Sequence, residues 1–389
     1  MDRQGQSGYP TRSNYSRYGR GRGIHHQSHT EGSKPTFTRI NPDTKFIDNE
    51  DVEGVHLVND FDLVRQLQVR LGEFAKGPRN IFPAMWPVSL STKNVQSLAS
   101  KPYYVVGPKP AGPRFLLYID SSGDIFLENM TQHIFRVDED HAIKIETFDG
   151  RPITDTVLDG IITREKSIDN ASCNGKEATK KFTFIILDAI RCSGNDLTGL
   201  NILERIAFGR EVIMIPRTYA RGKEKEAFDL EIIKYEDAYQ TENYLSDEFI
   251  NSYKYPFRSL VFHPRQKGYN TRSTYKAFQW RENDVQEISF RLQIPKGIRE
   301  PKVAELHVIG PYRSEIKYDT IKMTEEIKKL DGCIIDCRYF DHQWIFIKQR
   351  HDRNHPNGRR AVMGKMEALE NAVSRDLLLI TLENSRGLE

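Results

Sequence analysis

The stretch KPYYVVGPKPAGPRFLLYID, residues 101–120, decides how the rest of the chain reads. Aromatic and β-branched residues fill YYVV, and apolar residues fill FLLYI, so each half reads as a strand. The GPKPAGP between them is made of residues that turn or interrupt a ladder. Lys109 in that connection therefore presents an amine at the mouth of a sheet. An amine becomes a nucleophile only where desolvation or neighbouring cations lower its pKa. Taken alone, Lys109 has the position of an ordinary surface lysine, and its meaning depends on what surrounds it.

Downstream of this pair run further short β-rich segments, DIFLE, HIFRV, AIKIETF, TVLDGIIT and FTFIILDAI, divided by turns such as SSGD and FDGRP. They read as an antiparallel sheet. Upstream, FDLVRQLQVRLGEFA at 61–75 places Leu63, Leu67, Val69, Leu71 and Phe74 at roughly helical spacing, with Gly77 and Pro78 as the stop. After Arg281 come ISFRLQI, VAELHVIG, CIIDCRYF and QWIFIKQR, the strand count of a small five-stranded barrel, with a helical close in GKMEALENAVSRDLLLITL. The fold class expected is α+β, in three parts: a tail at 1–45, a sheet domain at 46–285, and a barrel domain with a C-terminal helix at 286–389.

The 389 residues, 38% of them hydrophobic, are enough for two or three cores. Lysine and arginine number 57 against 54 acids, a balance of +3 that excludes a strongly basic histone-like protein and makes any nucleic-acid site a local one. No run approaches eighteen apolar residues, and the amino terminus has no apolar core of a signal peptide, so a soluble intracellular protein without a membrane partner is expected. Cys173, Cys192, Cys333 and Cys337 are too scattered for a disulfide framework and read as core thiols rather than a zinc site. The tail is rich in Gly, Ser, Arg, Tyr and Asn, and is expected to be disordered. Tyr15, Tyr18, Arg20 and Arg22 offer rings and cations to single-stranded RNA, or serve only as a solubilising leader.

Seven segments in order carry a resemblance: FPAMWPVSLS (82–91), KPYYVVGPKPAGPRFLLYID (101–120), TVLDGIIT (156–163), FTFIILDAIRCSGNDLTGL (182–200), YPFRSLVFHP (255–264), TYKAFQWRENDVQEISFRL (274–292) and WIFIKQRHDRNHPN (344–357). In these the chain resembles the guanylyltransferase part of the eukaryotic messenger-RNA capping enzyme family, in the lysine-nucleotidyltransferase superfamily. The resemblance spans about Phe82 to Leu382. It implies a nucleotidyltransferase domain with an ATP-grasp-like antiparallel sheet, followed by an OB-fold β-barrel.

The resemblance also implies a chemistry. In this family a lysine attacks the α-phosphate of GTP with Mg²⁺ assistance, and the lysyl-bound GMP passes to the 5′-diphosphate end of RNA. Lys109 occupies the nucleophile position of the K-x-D-G-x-R motif, with Gly112 and Arg114 matching. Phe184 is the candidate aromatic wall for a purine, or else a core residue, and Asp188, Trp280 and Arg281 fall at nucleotide-binding positions. Arg350, Asp352 and Arg353 match, with arginine in place of the final lysine, the R-x-D-K set that orients the leaving pyrophosphate, or form a solvated basic loop.

Four positions lose a charged group of the pattern. The carboxylate between Lys109 and Gly112 is Ala111, the glutamate after Asp159 and Gly160 is Ile161, an acid before the Leu-Val-Phe strand is Arg258, and one phosphate-binding lysine is Gln279. Each loss removes stabilisation of charge that develops during transfer, typically about a hundred- to a thousand-fold in rate. The expectation is a degenerate guanylyltransferase-like protein that binds guanine nucleotide or RNA 5′ ends with little or no transfer, and for which no metal ligands are assigned. The alternative is an active or slow guanylyltransferase using GTP, Mg²⁺ and Lys109, with Asp159 or Asp188 recruited to the metal. A general RNA scaffold driven by the tail is the third reading. The partners implied are an RNA 5′ end or cap-like nucleotide and the RNA polymerase II carboxy-terminal domain, in the nucleus. No phosphatase domain of the kind animal members carry is expected, since no cysteine precedes Cys173.

Overall fold

Asp60 starts the first helix by accepting hydrogen bonds from the backbone of Asp62 and Leu63, so the helix expected at 61–75 forms as described by the period of its apolar residues. The computed structural model describes residues 40–386, except 49, 78–80, 101–102, 167–180, 272–275, 283–285 and 298. Most of the tail, including Tyr15, Tyr18, Arg20 and Arg22, and also Cys173, lies outside the described residues. Residues 40–45, expected to belong to that tail, are tied to the fold: Thr44 is buried with its hydroxyl 3.2 Å from His133 Nε2.

In chain order, β1 (Val55–Leu57), α1 (Phe61–Phe74), β2 (Val88–Ser89) and β3 (Tyr104–Pro110) precede β4 (Arg114–Ile119), β5 (Ile125–Asn129) and β6 (Ile134–Val137). Then come β7 (Thr156–Thr163), β8 (Thr183–Cys192), β9 (Asn195–Asp196), α2 (Ile202–Gly209) and α3 (Ile215–Tyr219). The elements β10 (Asp229–Ile232), β11 (Glu236–Asp237), α4 (Thr241–Tyr244), α5 (Asp247–Ser252), β12 (Phe257–Pro264) and β13 (Phe278–Trp280) complete this half. The remainder holds β14 (Glu287–Gln293), β15 (Val303–Ile309), β16 (Glu315–Lys322), β17 (Ile334–Phe340), β18 (Gln343–Gln349), α6 (Arg359–Glu370) and α7 (Arg375–Arg386).

The single antiparallel sheet expected for the first half is two sheets. One runs β1-β6-β5-β4-β7-β8-β10 with β9 beside β8, the other β11-β3-β12-β13-β2. Both are antiparallel except at one edge, where β10 joins β8 and β2 joins β13 in parallel. Helix α1 buries Val64, Leu67 and Leu71 against Leu116, Tyr118 and Phe126 on one face of the larger sheet, and Phe115, Leu117 and Phe135 build a core on its other face. A further core of Val105, Ile161, Ile185, Leu187, Ile233 and Tyr235 draws residues from both sheets, and it carries β3, with Lys109, toward β7 and β8.

The last five strands form an antiparallel sheet in the order β16-β15-β14-β17-β18, as expected for the second half. Its outer strands meet through side chains: the Trp344 indole on β18 donates to the Asp319 carboxylate on β16 at 2.7 Å. No backbone ladder joins β16 to β18 among the described residues. The helical close is two helices, and the second leaves the strand unit. Val373, Leu378 and Leu382 pack with Leu98, Tyr104 and Phe278 of the first half, fastened by the Trp280 indole donating to the Val373 carbonyl at 2.9 Å.

Glu128 on β5 is fully buried near the α1 face, and burial pushes its carboxyl up to about 8, against a smaller opposing effect of Gln132. A carboxyl whose folded pKa is raised stabilises the fold least at high pH, because stability is lost as pH rises from the unfolded value through the folded one. Glu128→Gln, neutral at every pH, is therefore expected to raise the thermal midpoint at pH 8.5 by several degrees and to change it little at pH 5. Scanning calorimetry at the two pH values reads the difference.

Candidate functional site

Residues Asp159 on β7 and Asp188 on β8 face each other directly across the ladder. Two carboxylates so placed repel one another in a buried setting and must be neutralised. Here arginines do it. Arg114, the first residue of β4, donates from Nε to Asp159 Oδ1 at 2.7 Å and from Nη2 to Asp159 Oδ2 at 2.5 Å, and its Nη1 holds the Met85 carbonyl at 2.7 Å. Arg205, in α2, forks onto Asp188 in the same way at 2.7 and 2.8 Å. Both arginines and both aspartates are buried. The Tyr269 hydroxyl donates to Asp159 Oδ2 at 3.2 Å and accepts from the Met85 backbone.

Helix α2 brings Arg205 inward because its amino terminus is fixed by a capping box, in which Asn201 caps Glu204 and the Glu204 side chain returns to the Asn201 backbone. The β8 register shifts by one residue between Ile186 and Asp188, and this bulge turns both Leu187 and Asp188 toward the Lys109 cavity. Gly112 in the turn after Lys109 has φ of +150°, and a Cβ there would lie 2.0 Å from the Ile162 carbonyl oxygen, so the close approach of this turn to β7 requires glycine.

Lys109 lies opposite Ser259 in the β3–β12 ladder, and the neighbouring Arg258 is the extra residue of a bulge there. The Lys109 amine is pushed down to about 7, first by burial, then by the guanidiniums of Arg114 and Arg258, with Asp159 opposing and Lys365 of α6 adding a smaller push. Arg258 reaches Glu287 at 3.7 Å, and Lys365 donates to the Glu287 carbonyl at 2.5 Å, so α6 and β14 bring one more cation and one carboxylate to this mouth. Behind Lys109 lies a cavity of about 20 Å³ whose walls include Leu187, Ile233, Tyr235, Val261 and His263. Burial pushes His263 down to about 3, with the cations of Arg205 and Arg114 adding to it, so it stands neutral.

Of the residues singled out in the sequence, Lys109, Arg114, Asp159 and Asp188 line this one cavity. Phe184 lies on the opposite face of β8, fully buried, in the core with Ile186 and Phe228. Trp280 is buried under the C-terminal helix. Arg281 follows it, half-exposed. Arg350, Asp352 and Arg353 gather among the last five strands, where Arg350 forks onto Asp352 and also reaches Asp336, and Arg353 donates to Ser289. Ile161 is buried in the core between the sheets. The sequence reading missed Arg205, Leu187, Tyr235, Tyr269 and Lys365. Arg205 gave one local sign, a cation inside the apolar run of ILERIAF.

A divalent cation bound by oxygen needs several free carboxylate or carbonyl oxygens converging on one point. Both aspartates here are held in guanidinium forks, and no cluster of three or more acid, histidine or cysteine side chains able to hold a metal is found among the described residues. The donor set as arranged does not fit magnesium. Nor does a cavity of about 20 Å³ fit a nucleotide, whose pockets run to hundreds of cubic ångströms. The arrangement offers a ring of cations, one with an amine that titrates near neutrality, at a mouth between two sheets.

The chain is 25% identical to the mRNA-capping enzyme of Danio rerio over 364 residues, which is 92% of this chain and 58% of that one. It is 25% identical to the mouse mRNA-capping enzyme, over 89% of this chain and 57% of the relative, and 22% identical to the mRNA-capping enzyme subunit alpha of Schizosaccharomyces pombe, over 87% and 88%. The chain thus spans little more than half the length of the animal relatives. The ligase domain of M. tuberculosis LigD aligns over 69% of this chain and 95% of its own at 12% identity, with a TM-score of 0.32. The profile described as mRNA capping enzyme, C-terminal domain, matches residues 260–379. The profile described as mRNA capping enzyme, catalytic domain, matches residues 47–283, more than half of the sequence, and the chain belongs to the mRNA capping enzyme family.

Proposed function

We propose that this protein is a degenerate guanylyltransferase that binds the phosphorylated 5′ end of RNA and transfers little or no guanylate. The observation that carries the reading is the charge at the Lys109 mouth. The buried carboxylates are already neutralised by Arg114 and Arg205, while Lys109, Arg258 and Lys365 remain around the opening with Glu287 as the nearby acid. Such a surface attracts a terminal phosphate and repels a divalent cation. A nuclear protein that works on RNA ends, with the RNA polymerase II carboxy-terminal domain as a partner, goes with this reading.

The second reading, slow transfer from GTP through Lys109, draws on the amine itself, which is partly neutral at pH 7 and so able to attack phosphorus. Incubation with α-labelled GTP and Mg²⁺, followed by denaturing electrophoresis, separates the two. No labelled band is expected. A band that disappears in Lys109→Ala would establish the transfer reading instead.

Binding is expected to favour 5′-triphosphate RNA over the same RNA with a 5′-hydroxyl by about tenfold or more at moderate salt, the scale of a few charge-assisted hydrogen bonds. Arg258→Ala should lower that preference several-fold. Equal affinity for both RNAs would remove the 5′ end from the account.

A pH series tests Lys109 directly. Its charged form exists below about 7, so its share of the attraction fades as pH rises from 6 to 8. Lys109→Arg stays charged throughout, and the affinity ratio of this variant to wild type for triphosphate RNA is expected to increase across that range. A constant ratio would show that the amine does not titrate there.

A further inference from the structure

A second cavity, of about 530 Å³, shares Ile233 with the small cavity behind Lys109. Its floor includes Pro108, the residue before Lys109, and its far wall is aromatic: Tyr244, Phe249 and Tyr253, with the Phe249 and Tyr253 rings stacked 5.3 Å apart. Four charged side chains line it as two acids and two bases. Glu231 is paired with Lys254 and Glu236 with Lys234, so the cavity has no net charge of its own.

These features select among ligands. The volume lies in the range that holds a nucleoside-sized molecule. Aromatic walls favour a flat ring, since every base has a face that stacks. Paired charges give no preference for a phosphate, yet the carboxylates of Glu231 and Glu236 can accept hydrogen bonds from sugar hydroxyls, which is how protein groups tell ribose from deoxyribose. Ile233, shared with the cavity behind Lys109, and the chain step from Pro108 to Lys109 set this aromatic cavity next to the lysine.

We infer that this aromatic cavity receives the base and ribose of the first nucleotide of the RNA whose 5′ phosphates rest at Lys109, Arg258 and Lys365. The inference depends on the 5′-end reading proposed above and adds the subsite that takes the terminal nucleoside. It separates the protein's phosphate contacts from its base contacts: the mouth reads the phosphorylation state, and the cavity reads that the end is a ribonucleotide with an accessible base.

The test uses the full chain and short 5′-triphosphate RNAs carrying 2-aminopurine at the first or the fifth position. Fluorescence at the first position should be quenched on binding and at the fifth should not. Tyr253→Ala and, in case that variant is poorly folded, the exposed rim substitution Ser252→Trp, which plugs the cavity, should each abolish the quench and weaken triphosphate-RNA binding by roughly tenfold, the scale of one lost base stack. A 2′-deoxy first nucleotide should weaken binding several-fold in the wild type and not in Ser252→Trp. If triphosphate RNA is still preferred over 5′-hydroxyl RNA, while the quench is equal at both positions and Ser252→Trp binds as wild type, the cavity assignment is overturned and the 5′-end reading stands. If the preference itself is absent, both fall together.

Discussion

Two carboxylates placed opposite one another on adjacent buried strands constrain everything near the mouth of this protein. Asp159 and Asp188 cannot both stay ionised and unpartnered inside a core. A divalent cation or a pair of fixed guanidiniums can neutralise them, and this chain uses guanidiniums: Arg114 and Arg205, each bidentate and each buried with its partner. Breaking one such pair by removing a single member typically costs about 3–5 kcal/mol, because it strands the other charge. The forks are therefore structural parts of the sheet.

The neutralised interior changes what the surface can do. With Asp159 held by Arg114 and Glu287 beside Arg258, Lys109 feels mainly burial and the cations Arg114 and Arg258, and its amine is displaced to about 7. Ile161 completes the core between the sheets with Ile185, Leu187 and Ile233. The family's fold is kept, while the space behind the lysine is packed with side chains and the open volume lies next door, against Tyr253 and Phe249.

The parts of this that could be read in the sequence are those fixed by local pattern. Helix α1 follows from the spacing of Leu63 to Phe74, and the two strands near Lys109 from their apolar runs, but β3 continues through Gly107, Pro108, Lys109 and Pro110, which the sequence reads as the connection. Distant pairings were not legible: β10 joins β8 and β2 joins β13 in parallel, across gaps that no local period records. Phe184 was a natural aromatic candidate because its motif position is conspicuous, but a bulge between Ile186 and Asp188 determines which β8 residues face the cavity, and a bulge has no sequence signature here. Trp280, expected from its motif at a nucleotide position, fastens a helix whose sequence begins nearly a hundred residues later. Arg205 is the hardest case. An arginine in an amphipathic helix ordinarily faces water, and only the fold shows that its partner is Asp188.

The account rests on the two aspartates being unavailable to metal, and the most direct measurement is a titration with Mn²⁺ followed by electron paramagnetic resonance, comparing wild type with Asp159→Asn and Asp188→Asn. The expected result is weak Mn²⁺ binding at scattered surface acids that neither substitution alters. A stoichiometric Mn²⁺ site abolished by either substitution would contradict it, since the arginine forks would then have to open to admit the ion.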